Sequence, residues 1–263
     1  MKKSRLIEII ILAVFFLCGC GANTAQTKSE PSMLTAQAGE KVQEYAKLNI
    51  ACDESLSSAA DLLSKGFDKA EVYVRFYTAA ELDAADFGGD EADVVIKAFD
   101  DTADEGATTA GDAQGTRLCG NSLVLVTPSG SPGRIKKLDD LDSSAVTLMT
   151  MGNSETASGK ATESMLENVG MYDSLKEENK VTYGSDEASV VTQIQQGVVD
   201  CGIIFMSDAR AKNIVLAEDL AGYAFSRVDY YCSAVKSGSD STVQQYIDYI
   251  RSNAQGFTDL GFE

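Results

Sequence analysis

The chain has 263 residues, 44% of them hydrophobic, and a formal net charge of −18. This length and composition predict a globular protein of one or two domains with a sizeable core. The sequence contains no histidine, which excludes Ser-His-Asp and Cys-His catalytic sites and His-ligated metal sites. The strong negative charge argues against binding to nucleic acid or to anionic lipid.

The first predicted element is a secretory signal. Three basic side chains precede an apolar run at residues 6–17, which is too short for a comfortable membrane span. Residues 17–20 read Leu-Cys-Gly-Cys and resemble a bacterial lipobox, whose last cysteine becomes the lipidated first residue of the mature chain. We therefore expect a lipoprotein signal peptide at 1–19, lipidation at Cys20 and an extracytoplasmic location on the cell membrane.

Small polar residues at 20–44 are typical of a tether between the lipid and a folded domain. Strands and helices alternate from there onwards. The apolar runs that predict strands lie at 48–52, 72–76, 93–96 and 121–128. Ser55 and Thr78 open the intervening helices, and Thr78 forms a capping box with Glu81. The alternation predicts an α/β fold with a mostly parallel sheet.

A second lobe is predicted after the turn-rich residues 129–133. Its strands are expected at 146–149, 181–183, 201–205 and 230–235, with helices opened by Ser158 and Ser185 and a closing helix at 242–253. The domain prediction is lobe 1 at 45–127, lobe 2 at 128–234 and a return to lobe 1 at 235–263. Two α/β lobes joined by crossing strands are typical of a hinged binding protein, with the ligand at helix N-termini.

Four cysteines lie beyond the signal and the lipidation site: Cys52, Cys119, Cys201 and Cys232. They are widely spaced and form no C-x-x-C pair, so a zinc site is not expected. Outside the membrane they could pair in three ways. Each cysteine also lies in or beside a predicted strand, where a buried thiol packs as a small hydrophobic side chain. We slightly favour four free, buried thiols.

Hydroxyl side chains open the predicted helices, and each one alone is best explained as an N-cap. These residues are Ser55, Thr78, Ser158 and Ser185. If several of them converge, the free N–H groups and the partial positive charge of the helix N-termini would hold an anion without lysine or arginine. Such a site is compatible with the acidic chain.

Four segments carry a family resemblance in their order and spacing: residues 48–56, 91–96, 120–126 and 200–209. Together with Tyr246–Ile250 and Gly261-Phe262 they resemble the periplasmic molybdate-binding protein of ABC transporters, over nearly the whole mature domain. The resemblance implies a type II periplasmic-binding-protein fold, two lobes that close on a tetrahedral oxyanion, molybdate or tungstate. It also implies delivery by a monomer, without a cofactor, to a membrane permease with a cytoplasmic ATPase.

The resemblance also implies ligand-binding positions. Ser55 keeps the serine of the first turn, and Ser158 lies in the turn that supplies a backbone N–H in the second lobe. A further backbone donor falls on Glu187, or on Ala188 if the register slips by one residue.

Two positions depart from the family pattern. Ala79 stands where the family has a ligand hydroxyl, so that only the neighbouring Thr78 can supply one, and Phe205 replaces the ligand tyrosine. Asp53 and Glu54 add negative charge beside the first turn. On the scale of hydrogen bonds to charged groups, losing two donors would weaken oxyanion binding by about 3–6 kcal/mol.

Three other functions remain open. The same fold could bind another small solute, and the carboxylates of Asp53, Glu54, Glu81 and Glu187 would favour a cation. A lipid-anchored interaction protein without a ligand is the second alternative. The third is an enzyme, but the sequence offers no activated nucleophile, phosphate loop or metal-ligand cluster, and adjacent pairs such as Asp139-Asp140 are typical of solvated surface. We therefore expect no catalytic residues and no enzymatic activity.

Overall fold

A computed structural model describes residues 46–87, 91–131, 133–235 and 241–263, apart from 101–114. The predicted signal peptide at 1–19, the lipidation site Cys20 and the tether at 20–44 lie outside the described residues. No helix in these described ranges is long and apolar enough to cross a membrane.

Nine strands are described, and in chain order they are β1 (Ala46–Asp53), β2 (Ala70–Tyr77), β3 (Val94–Asp100), β4 (Thr116–Thr127), β5 (Met149–Gly152), β6 (Val181–Gly184), β7 (Cys201–Phe205), β8 (Val215–Asp219) and β9 (Arg227–Ala234). The α-helices are α1 (Ala60–Ser64), α2 (Ala79–Ala84), α3 (Ala157–Asn168), α4 (Tyr172–Glu177), α5 (Glu187–Gln195), α6 (Met206–Ala211), α7 (Ser241–Ser252) and α8 (Ala254–Asp259). Short 3-10 helices occupy Glu54–Ala59 and Leu138–Asp142.

The strands form one path in the order β2-β1-β3-β9-β4-β7-β5-β6, with β8 paired to β4. Strand β1 is parallel to β2 and β3, and β5 is parallel to β6 and β7. Antiparallel pairing occurs where β4, β8 and β9 meet the other strands. The first part of β4 pairs with β9, and its second part pairs with β7 and β8. The two halves of the sheet with their helices are therefore two lobes, and the prediction of a two-lobed α/β fold is confirmed.

The long strand β4 is buried along ten consecutive residues, from Leu118 to Thr127. A strand that is buried on both faces has a continuous apolar run rather than an alternating one. This property explains why the sequence predicted a strand here so strongly, and it suits a strand that passes from one half of the sheet to the other.

Three helix starts differ from the prediction. Asp53, not Ser55, caps the first 3-10 helix, and its carboxylate accepts a hydrogen bond from the Ser55 N–H. Thr156 caps α3, so Ser158 is the second residue of that helix. Asp186 caps α5 in place of Ser185. In each case two good capping residues stand within two positions of each other, and capping preference alone cannot choose between them.

Strand prediction failed at two places. The strand expected at 146–149 is observed at Met149–Gly152. Val146 is buried, but it follows a turn and lies outside the ladder. Strand β8 was not predicted because it is short and largely exposed. Helices α4, α6 and α8 have six residues each and are too short to show a clear helical period.

The closing helix α7 buries Val243, Tyr246, Ile247 and Ile250, as its apolar spacing predicted. The Tyr246 hydroxyl donates a hydrogen bond of 2.8 Å to the carbonyl of Leu63 and so ties the helix to the first lobe.

The four cysteines of the described chain are free and buried, which confirms the interpretation as packed thiols. All four lie in strands, and their side chains are part of the hydrophobic core. Burial raises the pKa of the Cys201 and Cys232 thiols to about 12, so both stay uncharged at neutral pH.

Candidate functional site

A cleft of about 60 Å³ lies between the two lobes. Asp53 at the end of β1, Ala79 and Asp83 of α2, and Lys97 of β3 line it from the first lobe. Ala157, Lys160 and Ala161 of α3 line it from the second lobe. The carboxyl ends of the parallel strands β1 and β3 therefore face the beginning of a helix, which is where ligands bind in open α/β sheets.

The lobes contact each other across this cleft. The Ala80 N–H donates a hydrogen bond of 3.0 Å to the Glu155 carbonyl, just before α3 begins. The Lys160 ammonium lies 3.2 Å from Asp83 Oδ2, and the Lys97 ammonium lies 3.5 Å from Asp83 Oδ1. These ion pairs are exposed, so each contributes little stability by itself. They place two cationic groups at the mouth of the cleft.

The N-terminus of α3 holds a carboxylate. The Ser158 N–H donates to Glu187 Oε1 at 3.0 Å, and the Ser158 hydroxyl donates to Glu187 Oε2 at 2.5 Å. Both side chains are buried, with Glu187 only 4% exposed. Gly159 follows in the same turn, and a Cβ there would overlap the Asn153 carbonyl, so glycine is required for this tight approach.

A second carboxylate binds the corresponding serine of the first lobe. Asp53 Oδ1 accepts hydrogen bonds from the Ser55 N–H at 3.0 Å and from the Ser55 hydroxyl at 2.5 Å. The Tyr230 hydroxyl lies 2.7 Å from the Ser55 hydroxyl. Since the Ser55 proton is directed to Asp53, Tyr230 is the donor to Ser55. Asp53 is fully buried, and its Oδ2 has no hydrogen-bond partner.

A third carboxylate links the lobes. The backbone N–H of Glu187, at the first position of α5, donates to Glu54 Oε1 at 3.3 Å. The sequence predicted that Ser55, Ser158 and the Glu187 N–H donate hydrogen bonds to a ligand. In the structure, all three donate to carboxylates of the chain itself.

Burial raises the pKa values of four carboxyl groups around the two serines. Desolvation raises the pKa of Glu187 to about 8, with a smaller contribution from the charge of Asp208, while the Ser158 hydrogen bonds act in the opposite direction. Desolvation also raises the pKa of Asp53 to about 6, opposed by the Ser55 hydrogen bonds and by Lys160. The same cause raises the pKa of Glu54 and of Asp208 to about 7. The site concentrates negative charge that is costly to bury.

Two buried polar contacts lie near the crossing strand. Asn121 of β4 donates from Nδ2 to the Ser207 hydroxyl of α6 at 2.9 Å, and both residues are buried. Tyr230 of β9 contacts the Ser55 hydroxyl, which in turn donates to Asp53.

The remaining predicted site residues lie at different depths. Thr78 caps α2 through a capping box, and its hydroxyl accepts a hydrogen bond of 3.2 Å from the Glu81 N–H. Ala79 lines the cleft with its methyl group. Phe205 ends β7 as a fully buried part of the hydrophobic core and does not line the cleft.

Sequence reasoning missed Lys97, Lys160, Asp83 and Tyr230. Lys160 follows directly after the turn that contains Ser158, which was a usable signal. Tyr230 comes from β9, far along the chain, and no local pattern connects it with Ser55. Within the part of the chain that the structure describes, no group of three or more acidic or cysteine side chains could hold a metal ion.

Comparisons with known proteins place this geometry in a family. A model of the family described as "Bacterial extracellular solute-binding protein" matches residues 48–262. A "Putative ABC transporter substrate-binding lipoprotein YvgL" from Bacillus subtilis strain 168 is 22% identical over 262 residues, which cover 96% of this chain and 94% of that protein.

Solved structures show the same fold. The substrate-binding domain of a putative molybdenum ABC transporter from Clostridium difficile has a TM-score of 0.61 and 22% identity, over 83% of this chain and 98% of that chain. The periplasmic molybdate-binding protein of Azotobacter vinelandii has a TM-score of 0.63 and 13% identity, over 82% of this chain and 98% of that chain. With the family match over most of its length, the chain belongs to the bacterial extracellular solute-binding protein family.

Proposed function

We propose that this chain is the solute-capturing subunit of an ABC importer and that it binds a tetrahedral oxyanion, molybdate or tungstate, between its two lobes. The proposed ligand-binding positions are those of Ser55, Thr78, Ala79, Ser158 and Glu187, with Phe205 behind them. The family is one of solute-binding proteins rather than of enzymes.

The observation that carries the proposal is the arrangement at Ser158. One backbone N–H and one hydroxyl at the N-terminus of α3, a helix of 12 residues, hold two oxygens of a carboxylate at 3.0 and 2.5 Å. Two oxygens of a tetrahedral anion have similar charge and could accept the same two hydrogen bonds. The partial positive charge of the helix N-terminus favours any anion at this place.

Two lysines strengthen the case for an anion. Lys160 and Lys97 both line the cleft and share one carboxylate, that of Asp83. An anion in the cleft would gain attraction from both ammonium groups. These lysines could offset part of the loss of the family's hydroxyl donors at Ala79 and Phe205.

The names of similar proteins also support the proposal of a solute-binding subunit of an ABC importer. One relative is named as a substrate-binding lipoprotein of an ABC transporter, and one structural neighbour is named as a molybdate-binding protein. We propose accordingly that Cys20 carries the lipid anchor, that the chain works outside the cell membrane, and that its partners are a permease and a cytoplasmic ATPase. Lobe boundaries at 45–127, 128–234 and 235–263 remain part of this proposal.

The test is isothermal titration calorimetry of the ligand-free full chain, solubilised in mild detergent, with molybdate, tungstate and sulfate. We expect saturable binding of molybdate and tungstate and weaker binding of sulfate. No heat for any of the three anions from a folded protein would contradict oxyanion capture.

One observation favours a second candidate, a small solute that carries a cationic or hydrogen-donating group. Asp53 Oδ2 is buried and without a partner at the wall of the cleft, where a donor from a ligand could satisfy it. Screening amines and amino acids by thermal shift would test this candidate, and stabilisation by them but not by molybdate would favour it.

A further inference from the structure

We propose that the carboxyl group of Glu187 occupies the oxyanion position on Ser158 and thereby determines which solutes the cleft accepts. This inference rests on the proposed function, because it concerns the same site. It identifies Glu187 as a specificity-determining residue through its side chain, whereas the family resemblance implied only a role for its backbone N–H.

The first argument is the number of donors that Glu187 uses. Both of its carboxylate oxygens accept hydrogen bonds, one from the Ser158 N–H and one from the Ser158 hydroxyl. Ser158 therefore has no donor left for a ligand while Glu187 stays in this position. A solute oxyanion has to displace the carboxylate before it can use these two donors.

The second argument is that the contact is made by distant parts of the chain. Ser158 and Glu187 are 29 residues apart, at the beginnings of α3 and α5. The capping of both helices is provided by other side chains, those of Thr156 and Asp186. The Glu187 carboxyl group is thus the N-cap of neither helix, although it accepts one free N–H from the first turn of α3, and tertiary packing brings it there at 4% exposure.

The third argument is electrostatic. Asp208, Asp53 and Glu54 surround Glu187 from α6, β1 and the first 3-10 helix, and Lys212 acts on Asp208. Desolvation and the charge of Asp208 raise the pKa of Glu187 to about 8, so the side chain is mostly protonated at neutral pH and gains its charge as the pH rises through that value. A divalent oxyanion beside a charged Glu187 would meet strong repulsion at close range.

The experiment compares molybdate binding by the full chain in mild detergent for the wild type, Glu187→Ala and Glu187→Gln. The matched control is Glu167→Gln, which removes the same charge from the exposed end of α3. Glutamine keeps the shape of glutamate, but its amide nitrogen cannot accept a hydrogen bond from Ser158. It therefore tests the inference even if the cavity left by alanine destabilises the protein.

We expect both Glu187 variants to bind molybdate at least about tenfold more tightly than the wild type, while Glu167→Gln binds like the wild type. Equal or weaker binding by the Glu187 variants, with a wild type that binds molybdate, would overturn this inference and leave the proposed function intact. Binding by the variants alone would support the inference and contradict oxyanion capture by the natural chain. No binding of molybdate or tungstate by any folded variant would overturn both.

Discussion

The two lobes each place a carboxyl group on a buried serine next to the cleft, but they do so in different ways. On the first lobe, Asp53 binds Ser55, which is two residues away, and acts as the helix cap. On the second lobe, Glu187 binds Ser158 across 29 residues, and Thr156 rather than Glu187 is the N-cap of α3. The first carboxylate is thus part of local chain folding, whereas the second is brought in by tertiary packing. A local carboxylate cannot be removed without exposing the helix start, while a distant one can be replaced with less structural cost.

The largest expected effect is on the pH dependence of stability. Carboxyl groups titrate near pH 4 in the unfolded chain, but burial raises the pKa of Asp53 to about 6, of Glu54 and Asp208 to about 7, and of Glu187 to about 8. The folded state therefore binds more protons between these values, and stability falls as the pH rises through this window. We expect the free energy of unfolding to be several kcal/mol lower at about pH 9 than at about pH 5.

Chemical denaturation at the two pH values measures this difference. Glu187→Gln should reduce the fall, because it removes the group with the highest of the four values, whereas Glu167→Gln should leave the fall unchanged. A profile that is flat or rises with pH would contradict the assignment of buried carboxylates in the cleft.

The next prediction compares Asp53, which binds a serine two residues away, with Glu187, which binds a serine far along the chain. Asp53→Ala removes the cap and leaves the Ser55 N–H and hydroxyl buried without their acceptor, so we expect a loss of about 1–2 kcal/mol in the free energy of unfolding. Asp53→Asn keeps a capping oxygen and should lose less. Glu187→Gln should change the stability little at neutral pH, because a glutamate with a pKa of about 8 is mostly protonated there and glutamine has the same shape without a charge.

Urea unfolding followed by circular dichroism measures these three variants against the wild type. If Asp53→Ala proved as stable as the wild type, the description of Asp53 as a structural cap would be wrong. A large loss in the free energy of unfolding for Glu187→Gln would mean that Glu187 is as important for the folded structure as Asp53.

The smallest effect concerns Lys160, which belongs to the second lobe and interacts with carboxylates of the first. Lys160 lines the cleft from α3, lowers the pKa of Asp53 and pairs with Asp83. If it also attracts the ligand, Lys160→Met should weaken molybdate binding by about tenfold, with the larger part of the effect lost at high salt. Lys65→Met is the matched control, since the Lys65 side chain forms a surface ion pair with Asp61 and does not line the cleft.

Calorimetry at low and high salt checks this prediction. Equal binding by Lys160→Met and Lys65→Met would assign Lys160 to lobe contact alone. Weaker binding that does not depend on salt would indicate a change in lobe closure rather than in attraction.

Much of the fold could be predicted because periodic and capping signals act over short distances. The buried run of β4, the apolar face of α7 and the capping box at Thr78 all came from neighbouring residues. The helix starts near Ser55, Ser158 and Ser185 could be located only to within two residues, because adjacent side chains compete for the same cap. Strand β8 was missed because an exposed edge strand has little apolar pattern.

The candidate site was harder to predict, since its contacts join distant residues. Sequence reasoning selected Ser55 and Ser158 and placed Glu187 as a backbone donor, but it did not anticipate that carboxylates of the chain itself would bind these serines. The preference for acidic residues at helix starts accounts for the residue type at Glu187, but not for the direction of its side chain.

By itself, the sequence determined the α/β class and the family, because apolar spacing and the order of motifs can be recognised without knowledge of contacts. It left the pairing of the cysteines open, and the structure shows free thiols. Only the tertiary structure decided that Glu187 lies on Ser158, that Tyr230 reaches Ser55 and that Lys160 meets Asp83 across the cleft. The physical reason is that helix caps and strands form between neighbours in the chain, whereas the charge and hydrogen bonding of a cleft depend on how two lobes pack together.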